Sequence, residues 1–278
     1  MDTSRTAPRV IALTEEHEAA YLVCLEDWPG SELAEAGDHK ARWLSRMRDQ
    51  GLRVKLALDA DGQPAGMIQS VPIERSPFVG EGLEAILCIW VHGHAQGRGD
   101  RQGHGLGTAL LEAAEADARS RGVAGLAAWG LAVPFWMRAA WFRRHGFRNA
   151  GRRGLARLVW KPFSPAATPP RWPEATGRRP EPVPGKVVVT GCLSGWCPAQ
   201  NLAFERARRA AAAFGDRVEV RHVDTLDRAN LLAWGEGEAL WVDDRQVATG
   251  PPPTEARLAR LIGRRVRRLP AAPGPRAG

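Results

Sequence analysis

The stretch "GDRQGHGLGTALLEAAEADARSRG", residues 99–122, decides how the first half of the chain is read. Its second part is a clean amphipathic helix that stops at Gly122, where glycine supplies a left-handed end. Its first part crowds Gly99, Gly103, Gly105 and Gly107 just before that helix begins. The residues in front of it, "LEAILCIWV" (83–91), form an apolar run of strand length, as in a strand buried on both faces. Strand, bare turn and helix together make an anion site. A helix start leaves N–H groups unpaired and carries partial positive charge, and glycine lets a bulky phosphate approach the backbone. Two familiar phosphate loops are excluded. A P-loop needs Gly-Lys-Ser/Thr, and no lysine lies between positions 56 and 160. The dinucleotide fingerprint needs a third glycine where Thr108 stands, and an acid further on where residues 123–134 have none.

Working outward, "RVIALT" (9–14) reads as a strand leading to a helix capped by Thr14, and a second helix is expected near residues 38–50. "LRVKLALD" (52–59), the turn "ADG" and "QPAGMIQSVPIE" (63–74) read as a hairpin. Beyond the glycine helix come a buried strand "AGLAAWGL" (124–131), a helix "PFWMRAAWFRRHG" (134–146) and a closing strand "LARLVWKPF" (155–163). The sheet should be mixed. Residues 163–185 hold seven prolines without apolar periodicity and read as a semi-extended linker.

What fits the turn is Gln102-x-x-Gly105-x-Gly107. With "ILCIWV" as the preceding strand and the aromatic "WFRRHGF" helix after it, residues 8–162 resemble the GNAT superfamily of acyl-CoA N-acyltransferases. The resemblance implies an acetyl-CoA co-substrate. The amides of Gly103, His104, Gly105, Leu106 and Gly107 would cradle its pyrophosphate, Gln102 and Thr108 would flank it, and pantetheine would run antiparallel to Ile89 and Val91. A backbone amide near Val91 would polarise the acetyl carbonyl. The family's usual tyrosine acid is replaced by Phe142, and the sole tyrosine is the distant Tyr21. An amine must lose a proton to attack, so a base is expected: Glu84 first, then Glu81, His92 or His94. Trp90, Trp129, Phe135, Trp136 and Trp141 crowd this half; two of them lining the cleft would favour an apolar or aromatic acceptor. The loop "HGHAQGRGD" (92–100) is longer than the family's and reads as a mobile, solvated segment, with no metal expected.

After the linker, "KVVVTG", a Cys-bearing loop, a helix from Pro198, "RVEVRHVD", "LDRANLLAW", "ALWVDD", "RQVATG" and a helix from Thr254 give the order β-α-β-α-β-β-α. With Trp196-Cys197-Pro198 at a helix start, this order resembles thioredoxin-like proteins. The pairing resembles the bacterial YoaP-like arrangement. Cys197 stands at the attacking position, but Cys197-Pro198-Ala199-Gln200 lacks the second cysteine, so a Cys192–Cys197 disulfide is one option, and a thiol-, metal- or product-binding role, or a purely structural one, are the others.

The expected fold class is therefore α/β (α+β): a mixed-sheet GNAT domain at 1–162, a linker at 163–185, a thioredoxin-like domain at 186–264, and a basic disordered tail at 265–278. The net charge is +8, most of it after residue 162 and partly in Arg264, Arg265, Arg267 and Arg268. Elsewhere bases and acids alternate, so nucleic acid is not the expected partner. No long apolar run or leader pattern is present, which points to a cytoplasmic protein without a membrane partner. The expected reaction is acetyl transfer from acetyl-CoA to the amine of a small-molecule or protein acceptor, with a homodimer allowed. A CoA-binding protein with weak catalysis, or a thiol-redox protein using Cys197, are the alternatives.

Overall fold

The computed structural model of the protein describes residues 8–133 and 136–270. Pro134 and Phe135, expected in the second aromatic helix, and most of the expected tail lie outside them. The chain divides into two units, residues 1–31 with 44–173 and residues 32–43 with 174–278.

The first unit is a seven-stranded mixed sheet with helices packed on it. In chain order the strands and helices are β1 (Arg9–Ala12), α1 (Glu15–Leu22), α2 (His39–Met47, of which only residues 44–47 belong to this unit), β2 (Arg53–Leu58), β3 (Pro64–Pro72), β4 (Glu84–Val91), α3 (Leu106–Ser120), β5 (Gly125–Leu131), α4 (Ala139–Arg144), β6 (Arg148–Arg153) and β7 (Ala156–Pro162). The strand order is β1-β2-β3-β4-β5-β7-β6, with only β4 and β5 parallel. Helix α3 is the crossover between them. It buries Leu106, Leu110, Leu111, Ala114 and Ala118 against Ile68, Ile86, Leu126 and Val159 of the sheet. Removing Leu110, which is fully buried, to alanine should cost about 2–5 kcal/mol.

The sequence reading missed β6. "RNAGRR" has no apolar alternation, because an edge strand need not bury either face. Thr14 stands at the start of α1 in extended conformation, but its side chain makes no capping hydrogen bond.

The second unit is a four-stranded sheet in the order β11-β10-β8-β9. Its elements are β8 (Val187–Leu193), α5 (Pro198–Ala212), β9 (Val218–Asp224), α6 (Arg228–Trp234), β10 (Ala239–Val242), β11 (Arg245–Val247) and α7 (Glu255–Val266). Strands β8 and β9 are parallel, while β10 is antiparallel to both β8 and β11. One sheet face packs Val187, Val189 and Leu193 against Phe204, Leu258 and Ile262.

Three expected boundaries shift. Residues 32–43 do not belong to the first unit. Glu32 pairs with Arg206 at 3.2 Å, Glu35 with Arg209 at 2.7 Å, and His39 Nε2 with Glu205 Oε1 at 2.9 Å. The basic tail does not start at residue 265, since α7 continues to Val266 and Leu269 still packs on the core. Arginines in the last turn of α7 suit the negative end of the helix. The proline-rich stretch is irregular yet anchored to each unit in turn. In the first, Trp172 meets Phe78 edge-on at 5.1 Å and Val79 bridges Arg171. In the second, Arg178 and Arg179 lie over Trp234 and Trp241. No helix among the described residues is long and apolar enough to cross a membrane.

Candidate active site

The parallel pair β4–β5 keeps only three partners, Glu84↔Leu126, Ala85↔Ala127 and Ile86↔Ala128, and then parts. The cause is a bulge. On the β3 side, Gln69 faces Cys88 while the next residue, Ser70, faces Ile86, so Leu87 is one residue too many. Its carbonyl turns toward β5 and accepts a bond from Trp129 Nε1 at 3.0 Å instead of a strand partner.

Past the bulge, the alternation of an antiparallel ladder decides which peptide groups are free. His92 N donates to Ala65 O at 2.9 Å, so the bonded pairs to β3 fall at residues 92, 90 and 88. The N–H groups of Ile89 and Val91 therefore point the other way, into the gap left by β5. Ile89 N meets Met137 Sδ there at 3.3 Å.

The glycine turn opens onto the same gap. Gly103 and Gly105 have φ of +77° and +81°, with open space around the place of a Cβ, so the backbone angle and not crowding demands glycine. At Gly107 a Cβ would make ordinary contacts with Trp141 and Val91, so its bareness serves whatever approaches from outside. The first helical hydrogen bond of α3 is Ala109 N to Gly105 O. The amides of Gly105, Leu106, Gly107 and Thr108 donate to no group among the described residues. Between these four amides and the strand lies a cavity of about 450 Å³, lined by Ile89, Trp90, Val91, Arg101, Gln102, Gly103, Gly105–Thr108, Trp136, Met137, Arg138, Trp141 and Phe142, so that three of the expected aromatics, Trp90, Trp136 and Trp141, do line it.

Most of the expected donor-binding residues thus converge. His104 is the exception; it is exposed and does not line the cavity. Gln102 is at the cavity, yet its side chain donates to Val91 O at 3.2 Å and closes the base of the long loop. Thr108 Oγ1 contacts His145 Nε2 at 3.2 Å. Because His145 Nδ1 faces the Trp141 carbonyl, which only accepts, Nε2 is the acceptor and Thr108 spends its hydroxyl proton there. Its main-chain N–H remains available. Arg101, Arg138 and Met137 were missed; isolated residues outside a motif carry no periodic or spacing signal.

Glu84 is not at this site. It sits at the other end of β4, about 23 Å from Val91 at the usual rise of a strand. It is buried, accepts from Ser70 Oγ at 2.5 Å and is ion-paired with Arg121. A carboxylate so placed holds strand to helix and meets no substrate. Glu81 is exposed at the same remote end. Phe142 is fully buried.

The loop of residues 92–101 is braced and not free in solvent. Arg101 N donates to His92 O at 2.8 Å, Arg98 pairs with Asp27 at 2.5 Å, and the Trp28 ring lies 5.5 Å from His92 and 5.3 Å from His94. His92 is fully buried with Nδ1 at 2.8 Å from Gly99 O, and burial lowers its pKa. His94 is half-exposed, 3.6 Å from Glu26, with its ring 5.9 Å from the cavity residue Trp90. Burial raises the pKa of Glu26, against the pull of His94.

In the second unit, Cys197 caps α5 and is buried. The expected option of a Cys192–Cys197 disulfide is not realised. Cys192 is enclosed with Ala239 and Trp241, and burial, with Glu236 and Glu238 nearby, pushes its thiol up to about 12. A thiol of that pKa is not a nucleophile at neutral pH.

Residues 12–147 match the family model described as Acetyltransferase (GNAT) family. Comparison with curated proteins gives no match. Among solved structures, the chain is similar to a putative acyl-CoA N-acyltransferase from Klebsiella pneumoniae, at 19% identity over 56% of this chain and 98% of that one, with a TM-score of 0.41. A GNAT family acetyltransferase from Brucella melitensis in complex with acetyl-CoA shares 17% identity over 59% and 92%, with a TM-score of 0.40. The PaiA N-acetyltransferase from Thermoplasma acidophilum in complex with coenzyme A shares 13% over 57% and 100%, with a TM-score of 0.42.

Proposed function

We propose, from the match of residues 12–147 to the GNAT acetyltransferase family model, that the first unit is a GNAT domain and that it transfers an acetyl group from acetyl-CoA to an amine acceptor. One observation carries the reading: four unpaired amides at the start of α3 and the outward-facing N–H of Val91 open onto one cavity. The donor's diphosphate takes the Gly105–Thr108 amides, where the helix start adds favourable partial charge. Arg138, exposed at the same cavity, supplies a full charge, and Arg101, paired with Asp59 at 3.2 Å, lines it as well. Pantetheine runs along β4 as a substitute for the missing strand partner, and the acetyl carbonyl is polarised by an amide of the Ile89–Val91 stretch.

The amine's proton goes to His94, whose half-exposed ring lies beside Trp90, with Glu26 orienting it. The thiolate leaves without a tyrosine, since Phe142 offers no proton. Trp90 on the opposite face from Ile89 and Val91 favours an acceptor with an aromatic or apolar part.

The second unit supports a thioredoxin-like reading by its strand order β11-β10-β8-β9 and the cysteine at the head of α5. The buried Cys192 thiol, pushed up to about 12, favours a structural role for that residue, and the redox alternative rests on Cys197 alone.

The test is calorimetry of the intact protein with CoA and acetyl-CoA, followed by release of free CoA across a panel of amines. Heat with both ligands and amine-dependent CoA release are expected. Binding without release from any amine would leave a CoA-binding protein; no heat with either would end the proposal.

A further inference from the structure

The gap between the parting ends of β4 and β5 is filled by one flexible side chain. Met137 is 7% exposed, packs with Ile86, Ala128 and Phe142, and also lines the cavity. Its sulfur takes the Ile89 N–H at 3.3 Å. A thioether is a weak acceptor, so that N–H is held by a partner which any carbonyl oxygen would outcompete.

The Met137 backbone, by contrast, is pinned. Its φ is +47°, in the left-handed region, and its carbonyl accepts from Leu131 N at 2.7 Å. Gly130 lies so close that a Cβ there would stand 2.5 Å from the Met137 oxygen. The main chain is therefore a fixed wall, and the three-bond side chain in front of it is the part that can swing.

We propose that Met137 sets the size of the acyl group that this domain accepts. Its side chain stands in the place of the donor's acyl group. An incoming acetyl carbonyl replaces sulfur on the Ile89 amide, and the thioether folds back against Phe142. A longer acyl chain needs the volume into which the thioether folds, and behind it meets the pinned backbone. The inference rests on the donor-site reading above and adds the residue that limits donor choice.

The experiment measures the affinities of the full chain for CoA, acetyl-CoA, butyryl-CoA and hexanoyl-CoA by calorimetry, for the wild type, Met137→Ala and Met137→Leu. The wild type is expected to bind acetyl-CoA at least about tenfold more tightly than hexanoyl-CoA. Met137→Ala should cancel or invert that order, because each further buried methylene strengthens binding about fourfold; the order is read as the ratio of affinities within each variant, so a general weakening of the site does not alter it. Met137→Leu, which refills the volume without sulfur, should restore the wild-type order of donors. If circular dichroism shows the alanine variant unfolded, Met137→Val should move the order part of the way. An unchanged order in the alanine or valine variant that still binds CoA overturns the size limit alone, as does an inverted order in the leucine variant. Failure of the wild type to bind any CoA species removes the donor site and this inference together.

Discussion

The protein contains two strand-to-helix junctions of the same outline and opposite chemistry. At the first, β4 leads through glycines to α3, and the first four amides face a cavity without partners. At the second, β8 leads through "SGWC" to α5, and the turn is bonded to its own surroundings. Ser194 donates to Glu238 through both its amide, at 3.3 Å, and its hydroxyl, at 2.6 Å. Asn201, fully buried, donates to Gly195 O at 2.9 Å. Pro198 opens the helix with no N–H to offer. A helix start is an anion site only where its amides stay free and open to a cavity; at α5 proline removes the first N–H, and Gln200 N and Asn201 N donate to Cys197 O at 3.1 and 3.0 Å.

The most severe way to break this contrast is Gly105→Val. A β-branched residue at φ +81° is strained by about 1–3 kcal/mol and its side chain stands in front of the amides. Detectable CoA binding should vanish in calorimetry while the circular dichroism spectrum is retained; full affinity in the variant would remove the open junction from the function.

Next is a pH dependence confined to the second junction. Burial raises Glu238 to about 8, and its Oε2 has no hydrogen-bond partner among the described residues. The folded-state value lies above the unfolded one, so the folded protein holds a proton that the unfolded chain releases. Stability is then greatest below about pH 4.5 as far as this group is concerned, and falls as pH rises toward 8, by up to about 1.4 kcal/mol per pH unit. Urea unfolding of the second unit followed across that range should show the slope, and Glu238→Gln should flatten it. An identical slope in the variant would assign the effect elsewhere.

Asn201→Ala should destabilise by about 1–3 kcal/mol, because the Gly195 carbonyl loses its donor in a buried place, with CoA affinity unchanged. A shift in CoA affinity would mean that the two junctions are coupled. The smallest effect is expected from Arg101→Gln and Arg138→Gln. Each should weaken CoA binding by about threefold to tenfold, and by less as salt rises, with Arg138 the larger of the two because it is exposed while Arg101 is already paired with Asp59 at 3.2 Å. Salt-independent loss would point to packing instead of charge.

How much of this was legible in the sequence depends on how local each cause is. Gly103, Gly105 and Gly107 were readable because a backbone angle and a helix start are properties of a few neighbouring residues. Elements with strong periodicity, such as α3, β4 and the four strands of the second unit, were readable for the same reason. The exposed edge strand β6 carried no such pattern. Glu84 was misjudged because a strand's first residue and its last are equally plausible from the sequence, while only the position of the bulge at Leu87 decides which end opens. Residues 32–43 were assigned to the wrong unit because His39 finds Glu205 only across 166 positions of chain.

The sequence alone therefore determined that a bare, helix-starting turn would follow a buried strand, since φ above zero and unpaired amides are local consequences of glycine and of helix geometry. Tertiary structure alone decided which peptide groups face the cavity, that Met137 fills the gap, and that the long loop is tied to Asp27 and Trp28. Those outcomes depend on strand register and on side chains brought together from distant positions, and a linear pattern holds no record of either.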